Sequence, residues 1–245
     1  MRGRAVSART RAAAGALAAF ASAVALAAPA AAHLPLGDRS LIAVFARADG
    51  VVVARALSAT VASPTGASAE TRFRVLAPVV GEAPTGEVTV VGDAPALRYP
   101  AGESAIVAVG ARAGGSDRWA SPQIAGMRLT LAASDLDEET RAALRDLFHA
   151  THAGGPAPID ARAAVAALVA LAASREAKLA SLAALEVAGI ADHPADFSAE
   201  SRRALARAAR ASGADPARDA AIALALRRLA AAGPESASSE REAAR

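Results

Sequence analysis

Cysteine is absent from all 245 residues, which excludes disulfides, thiol catalysis, iron–sulfur ligation and lipid attachment through sulfur. Stability therefore rests on packing alone. Aromatic residues make up only 3% of the chain, with one Trp and one Tyr, so its cores have to be assembled from Val, Leu, Ile and a great deal of Ala. Lysine occurs once, at Lys178, and arginine carries almost all the positive charge. Catalytic signatures are missing too. Ser68, Ser104 and Ser116 do not sit in Gly-x-Ser-x-Gly, and no Ser-x-x-Lys occurs. Gly114-Gly115 has neither the spacing of a phosphate loop nor its Lys, and reads as a hairpin tip. No catalytic residue and no cofactor is assigned on this basis.

The first residues govern how the charge is read. Arg2, Arg4, Arg9 and Arg11 precede an Ala/Leu/Val-rich stretch from Ala12 to Ala28, and Ala30-Ala31-Ala32 supplies small residues for cleavage. That is the three-part pattern of a secretory signal over residues 1–32, without consecutive twin arginines. The expected location is exported, periplasmic or extracellular, with no integral membrane segment after cleavage. An uncleaved anchor is the alternative, for which the stretch is short and weakly apolar. Removing four arginines and no acid takes the formal charge from +3 to −1, so the high isoelectric point is no evidence for a nucleic-acid partner.

Beyond the signal the chain changes character near Ser134. Before it, short β-branched runs alternate with Gly/Pro turns, predicting a helix over 38–48 stopped by Gly50. Strands are predicted over 51–61, 71–80, 87–91, 105–109 and 127–131. Ser63-Pro64-Thr65-Gly66, Ala83-Pro84-Thr85-Gly86 and Tyr99-Pro100-Ala101-Gly102 are turns in which Pro presets φ and Gly accepts a positive φ. Short strands at near-regular spacing favour a closed sheet without exposed edges. After residue 134 come Ala/Leu helices. Ser134 and Asp137 suggest a capping box, Asp160 and Ser198 further caps, and Asp215-Pro216 the start of a last helix before Gly233. The segment PESASSEREAAR has no apolar anchors and is expected to be disordered.

The succession ARADGVVVARALSATV, TRFRVLAPVVGEAPTGEVTVV and LRYPAGESAIVAVG resembles a netrin-like, or metalloproteinase-inhibitor-like, OB-type barrel over residues 46–109. SREAKLASLAALEVAGI and DPARDAAIALALRRLAAAG are similar to HEAT-type repeats. Together they imply an α+β chain: a small OB-like antiparallel β-barrel domain over 33–133, then an α-helical, HEAT-like hairpin domain over 134–233, then a tail over 234–245. The animal netrin-like inhibitors depend on disulfides and an N-terminal cysteine, so no residue here inherits protease inhibition. What the resemblance implies is an extracytoplasmic, non-enzymatic binding or adaptor module with a protein partner, and fold alone fixes no more.

Candidate site residues have to be weighed against structural roles. His33 would begin the processed chain, where its α-amino group and imidazole together can grip copper; cleavage, however, leaves some residue first by necessity. His149 and His152 lie at i, i+3 on a predicted helix and could begin a zinc site, or they could complement the helix C-terminus. These histidines carry the alternative expectation, a metal-binding protein. Asp135, Asp137, Glu138 and Glu139 lack calcium-loop spacing and suit a helix start. Trp119 is either a binding anchor or core packing. Arg203, Arg207 and Arg210 share one helix face, either a basic docking stripe or a solvated surface.

Overall fold

The computed structural model describes residues 40–232 apart from 63–65, 95, 115–116, 124–126, 132–135, 154–158 and 212–214. The expected signal, His33, Ser134, Asp135 and the tail lie outside the described residues.

Val, Ile and Ala fill β1 (Gly50–Ala56) and β5 (Ser104–Val109), and both strands are covered on both faces, as continuous apolar runs require. They pair antiparallel with Val53 opposite Ile106. The other edge of β1 pairs with β3 (Ser68–Gly81), the longest strand. One half of β3 runs along β4 (Glu87–Asp93), from Ser68 opposite Asp93 to Arg74 opposite Glu87. Its other half runs along β1, and two register shifts there insert extra β3 residues that bend the strand. Arg72 and Arg74 point outward to Glu87 while Phe73 between them is fully buried, the alternation expected of a half-buried strand. Three short strands complete the sheet. β2 (Val61–Ala62) pairs with the start of β3, β6 (Arg118–Ala120) runs parallel to β4, and β7 (Leu129–Thr130) flanks β5.

This seven-stranded sheet has the order β6-β4-β3-β1-β5-β7, with β2 attached to β3. It corrects the expected closed antiparallel barrel: the path has two ends, and one of its pairings is parallel. Strand count alone could not reveal that β6 would align with β4. The segment 110–113, which leads to Gly114 at φ 77°, reaches from β5 toward β6, through Gly110 N–H to Ala120 O at 2.8 Å and Ala113 N–H to Arg118 O at 2.9 Å. The single strand expected over 51–61 is two. Between them the chain leaves β1, and Thr60 turns its hydroxyl inward to Thr71 at 2.7 Å. Gly66, Gly86 and Gly102 take φ values of 71°, 72° and 86°, as the Pro-x-Gly turns require.

The helices follow the apolar periodicity closely. α1 (Leu41–Ala46) precedes the sheet, and Gly50 opens β1 where a helix stop was expected. After the sheet come α2 (Glu138–His152), α3 (Ala161–Ala172), α4 (Ala177–Ile190), a 3₁₀ turn (Pro194–Asp196), α5 (Ala199–Arg210) and α6 (Pro216–Ala231). Asp137, not Ser134, caps α2, accepting the Thr140 N–H at 2.7 Å. Asp160, Ser198 and Asp215 cap α3, α5 and α6 as read from the sequence. The helices pack in succession, α2 on α3, α3 on α4 and α4 on α6. α4 and α6 run in the same direction, since the Ser181 hydroxyl donates to Asp215 near their starts and Arg228 donates to Ala188 O at 3.0 Å near their ends. Among the described residues no helix is long and apolar enough to cross a membrane.

Two apolar clusters divide the two faces of the sheet. One face contributes Val52, Ala54, Phe73, Val90, Val107 and Trp119 to a cluster made of sheet and loop residues, in which the Phe73 and Tyr99 rings meet edge-on at 5.2 Å. The opposite face contributes Val51, Val53, Ile106 and Ala108 to a larger cluster that continues through α1 and α2 to Leu229 of α6. That core does not divide where strands give way to helices. Arg141 and Arg145 of α2 also reach the sheet, donating to the carbonyls of Pro78 at 3.4 Å and Val79 at 3.2 Å, where β3 has run past the end of β4.

Glu186 of α4 fastens the layers together. Leu41, Ile42, Val44 and Phe45 of α1 are 0–2% exposed, so the first backbone N–H groups of this helix need partners inside the protein. Leu41 N–H donates to Glu186 Oε2 at 2.7 Å and Ile42 N–H to Oε1 at 3.2 Å; Ala43 N–H donates to Ser40 Oγ at 2.9 Å and Val44 N–H to Ser40 O at 3.1 Å. Burial pushes the Glu186 carboxyl up to about 7, against the opposing pull of the hydrogen bonds from Ile42, Leu41 and Ser40. Below its ordinary value of 4.5 the carboxyl is protonated in the folded and unfolded chain alike, and above about 7 it is ionised in both. Between these limits only the folded chain holds the proton. Stability therefore falls as pH rises across this window, by at most ~1.4 kcal/mol per pH unit. Glu87 is held below its ordinary value chiefly by Arg74, and Asp215 chiefly by Ser181, so their contributions are lost only in more acidic solution. The melting temperature of the wild type should fall between pH 5 and 7, and that of Glu186→Gln, which cannot titrate, should stay nearly level. Parallel profiles in a calorimetric series would contradict this assignment.

Candidate binding groove

Where β1 ends, the chain crosses through Leu57 to Thr60 into β2, and the segment after β4 returns alongside it from Ala94 to Pro100. Between them lies an open groove of about 500 Å³. Ala59, Ala62, Gly66, Ala69 and Ala94 line it with small apolar surface, and Tyr99 and Pro100 close one side. The small side chains at these positions leave the volume open.

Its wall residues bond one another. The Thr60 hydroxyl meets Thr71 Oγ1 and bonds the Leu97 carbonyl, and Tyr99 N–H donates to Thr60 Oγ1 at 2.9 Å. Thr71, itself fully buried, also donates to Leu97 O at 3.0 Å. The Tyr99 hydroxyl donates to Gln123 Oε1 at 3.4 Å, and the Gln123 amide donates to Ile106 O and Met127 O, each at 3.4 Å. Burial raises the Tyr99 phenol above its ordinary value, with the Gln123 bond and Arg128 opposing, so it remains a neutral phenol at physiological pH.

Two arginines border the groove. Arg128 stands just before β7, its guanidinium 5.7 Å from the centre of the Tyr99 ring. It donates to the Arg98 carbonyl and lies 3.6 Å from Glu103, so its charge is already partly engaged. The Arg98 side chain is exposed and has no ion pair among the described residues. Among the described residues nothing lining the groove is a nucleophile beside a base or a pair of carboxylates. What this arrangement can do is hold a ligand, with apolar area for most of it and a cation for one end.

The residues singled out in the sequence lie elsewhere. Trp119 is 3% exposed and belongs to the sheet's own cluster, with the Arg112 guanidinium 5.1 Å from its ring. Its one outward edge meets a separate shallow depression between Glu82 and Asp117. The His152 ring stacks on Phe148 at 4.1 Å, and its Nδ1 lies 2.8 Å from the Phe148 carbonyl of its own helix. His149 faces a shallow surface cleft with Asp146 and Asp160. Among the described residues no three His, Asp or Glu side chains converge as metal ligands. Arg203, Arg207 and Arg210 are exposed along α5, and none has an ion pair among the described residues. Arg202 beside them is committed to structure, donating to Pro194 O at 2.8 Å and Phe197 O at 3.3 Å.

No protein-family model matches the chain, and no curated protein matches its sequence. In the sequence Tyr99-Pro100-Ala101-Gly102 carries only turn chemistry, which hides the groove beside it. The signal available was the chain's single tyrosine, flanked by an arginine and a proline.

Thr60 joins both walls, which makes it the residue to test. Thr60→Val keeps the shape but removes the Thr60 bonds to Thr71, Leu97 and Tyr99 N–H, leaving Leu97 O as the partner of both the Thr71 hydroxyl and Tyr99 N–H, and should lower stability by about 0.5–1.5 kcal/mol in urea denaturation. A change below a few tenths of a kcal/mol would show that the wall does not depend on this network.

Proposed function

We propose that the protein is an extracytoplasmic, non-enzymatic binding module whose ligand site is the groove between β2 and the segment from Ala94 to Pro100. The observation that carries this reading is a largely apolar hollow whose wall residues Thr60, Thr71 and Tyr99 bond one another, with Arg98 at its rim as a cation that has no ion pair among the described residues. The export-signal pattern at residues 1–32 supports the extracytoplasmic location. In this reading the sheet is a partly opened relative of a netrin-like OB-type barrel. Support comes from β3 bending across two neighbours and from the hydrogen bonds that carry the segment after β5 toward β6. The helices are HEAT-like in the same reading, supported by the parallel course of α4 and α6 with α5 between them in sequence, and they offer an adaptor surface for a protein partner.

The test is a neutral apolar reporter. N-phenyl-1-naphthylamine should bind the wild type saturably at one site with enhanced fluorescence. Ala62 is exposed at the groove wall, so Ala62→Trp should fill the hollow and cut reporter affinity at least tenfold while leaving the melting temperature within a few degrees. Absence of binding, or binding that Ala62→Trp leaves intact, would overturn the reading.

A further inference from the structure

Resting on that reading of the groove, we propose that its ligand is an aliphatic chain ending in a single carboxylate, with the chain along the alanine-lined floor and the carboxylate at Arg98. Three observations support it. First, among the described residues five of the lining positions are alanine or glycine, joined by Pro100 and Tyr99, with Thr60, Arg98 and Arg128 as the polar members, which suits a flexible hydrocarbon with one polar end; a volume of about 500 Å³ lies within the roughly 300–1,000 Å³ of small-molecule sites. Second, the polar groups of Thr60, Thr71, Tyr99 and Leu97 already bond one another. A peptide laid here would bring amide groups for which these wall residues hold no spare partner, and each unpaired amide opposes binding; an alkyl chain brings none. Third, the charge at the rim is asymmetric. Arg128 is engaged by Glu103 and the Arg98 carbonyl, whereas among the described residues the Arg98 guanidinium has no ion pair and no carboxylate lines the groove. One free cation beside an apolar floor matches one anionic head group.

The head group and the chain contribute separately and can be read separately. Because Arg98 is exposed, its attraction for a carboxylate is screened and should be modest, about threefold to fivefold in affinity. Each added methylene should strengthen binding by up to about fourfold until the groove is filled.

The experiment displaces bound N-phenyl-1-naphthylamine with dodecanoate, dodecanol and dodecylammonium, each below its micellar concentration, at low ionic strength. Dodecanoate should displace the reporter about threefold to fivefold more tightly than dodecanol, and dodecylammonium more weakly than either. Decanoate and octanoate should be successively weaker than dodecanoate. Arg98→Glu should invert the head-group order while still binding the reporter, and raised salt should shrink the preference. Equal affinity for the three head groups, or an order unchanged by Arg98→Glu, overturns the carboxylate assignment while leaving the groove as a binding site. Tighter displacement by the peptide acetyl-Leu-Val-Leu with a free C-terminus than by dodecanoate overturns it in favour of a peptide. Failure of the reporter to bind, or insensitivity to Ala62→Trp, removes the groove reading and this inference with it.

Discussion

A six-residue helix buried between a sheet and a helical stack is the constraint on which the rest of this structure depends. α1 carries Leu41, Ile42, Val44 and Phe45 into the larger apolar cluster, and its exposed area is close to zero on every side that matters. Burying such an element is favourable for its side chains and unfavourable for the unpaired N–H groups at its start. Glu186 resolves the conflict from a distance of 145 residues in sequence, and Ser40 supplies the two remaining acceptors. The contact is therefore more than a cap, because it ties α4 of the helical layer to the helix that leads into the sheet.

Once α1 is fixed, the division of labour between the two sheet faces follows. One face continues into the helices, and Arg141 and Arg145 satisfy carbonyls that β3 exposes beyond β4. The other face is sealed by the sheet's own curvature, by Phe73 against Tyr99 and by the loop from Ala94 to Tyr99. The groove opens at the margin of this second cluster, where β1 and β2 part. Its alanines Ala69 and Ala94 belong to the sheet's own cluster, so small residues leave a hollow there without breaching the core shared with the helices.

Much of this was legible in the sequence, and the limits have physical causes. Period-two alternation at Arg72, Phe73 and Arg74 and the Pro-x-Gly turns mark strand positions, because both signals are local. Asp160, Ser198 and Asp215 announce their helices for the same reason. Glu186 leaves no such trace: a glutamate inside an Ala/Leu helix looks like any solvent-facing residue until tertiary packing brings α1 above it. The parallel pairing of Arg118–Ala120 with β4 was equally hidden, since three residues carry too little pattern to specify a partner. Trp119, Arg203 and His149 drew notice for their chemistry. Arg98, Tyr99 and Arg128 drew none, because residues 98 and 128 meet only through the fold.

A core that passes without interruption from the sheet into α6 implies that sheet and helices lose their structure together. Trp119, the single tryptophan, reports only on the sheet, and far-ultraviolet circular dichroism at 222 nm reports mainly on the helices. Urea titrations followed by the two signals should superimpose with one midpoint and one slope. Two separated transitions, the helices melting while Trp119 stays buried or the reverse, would contradict the account.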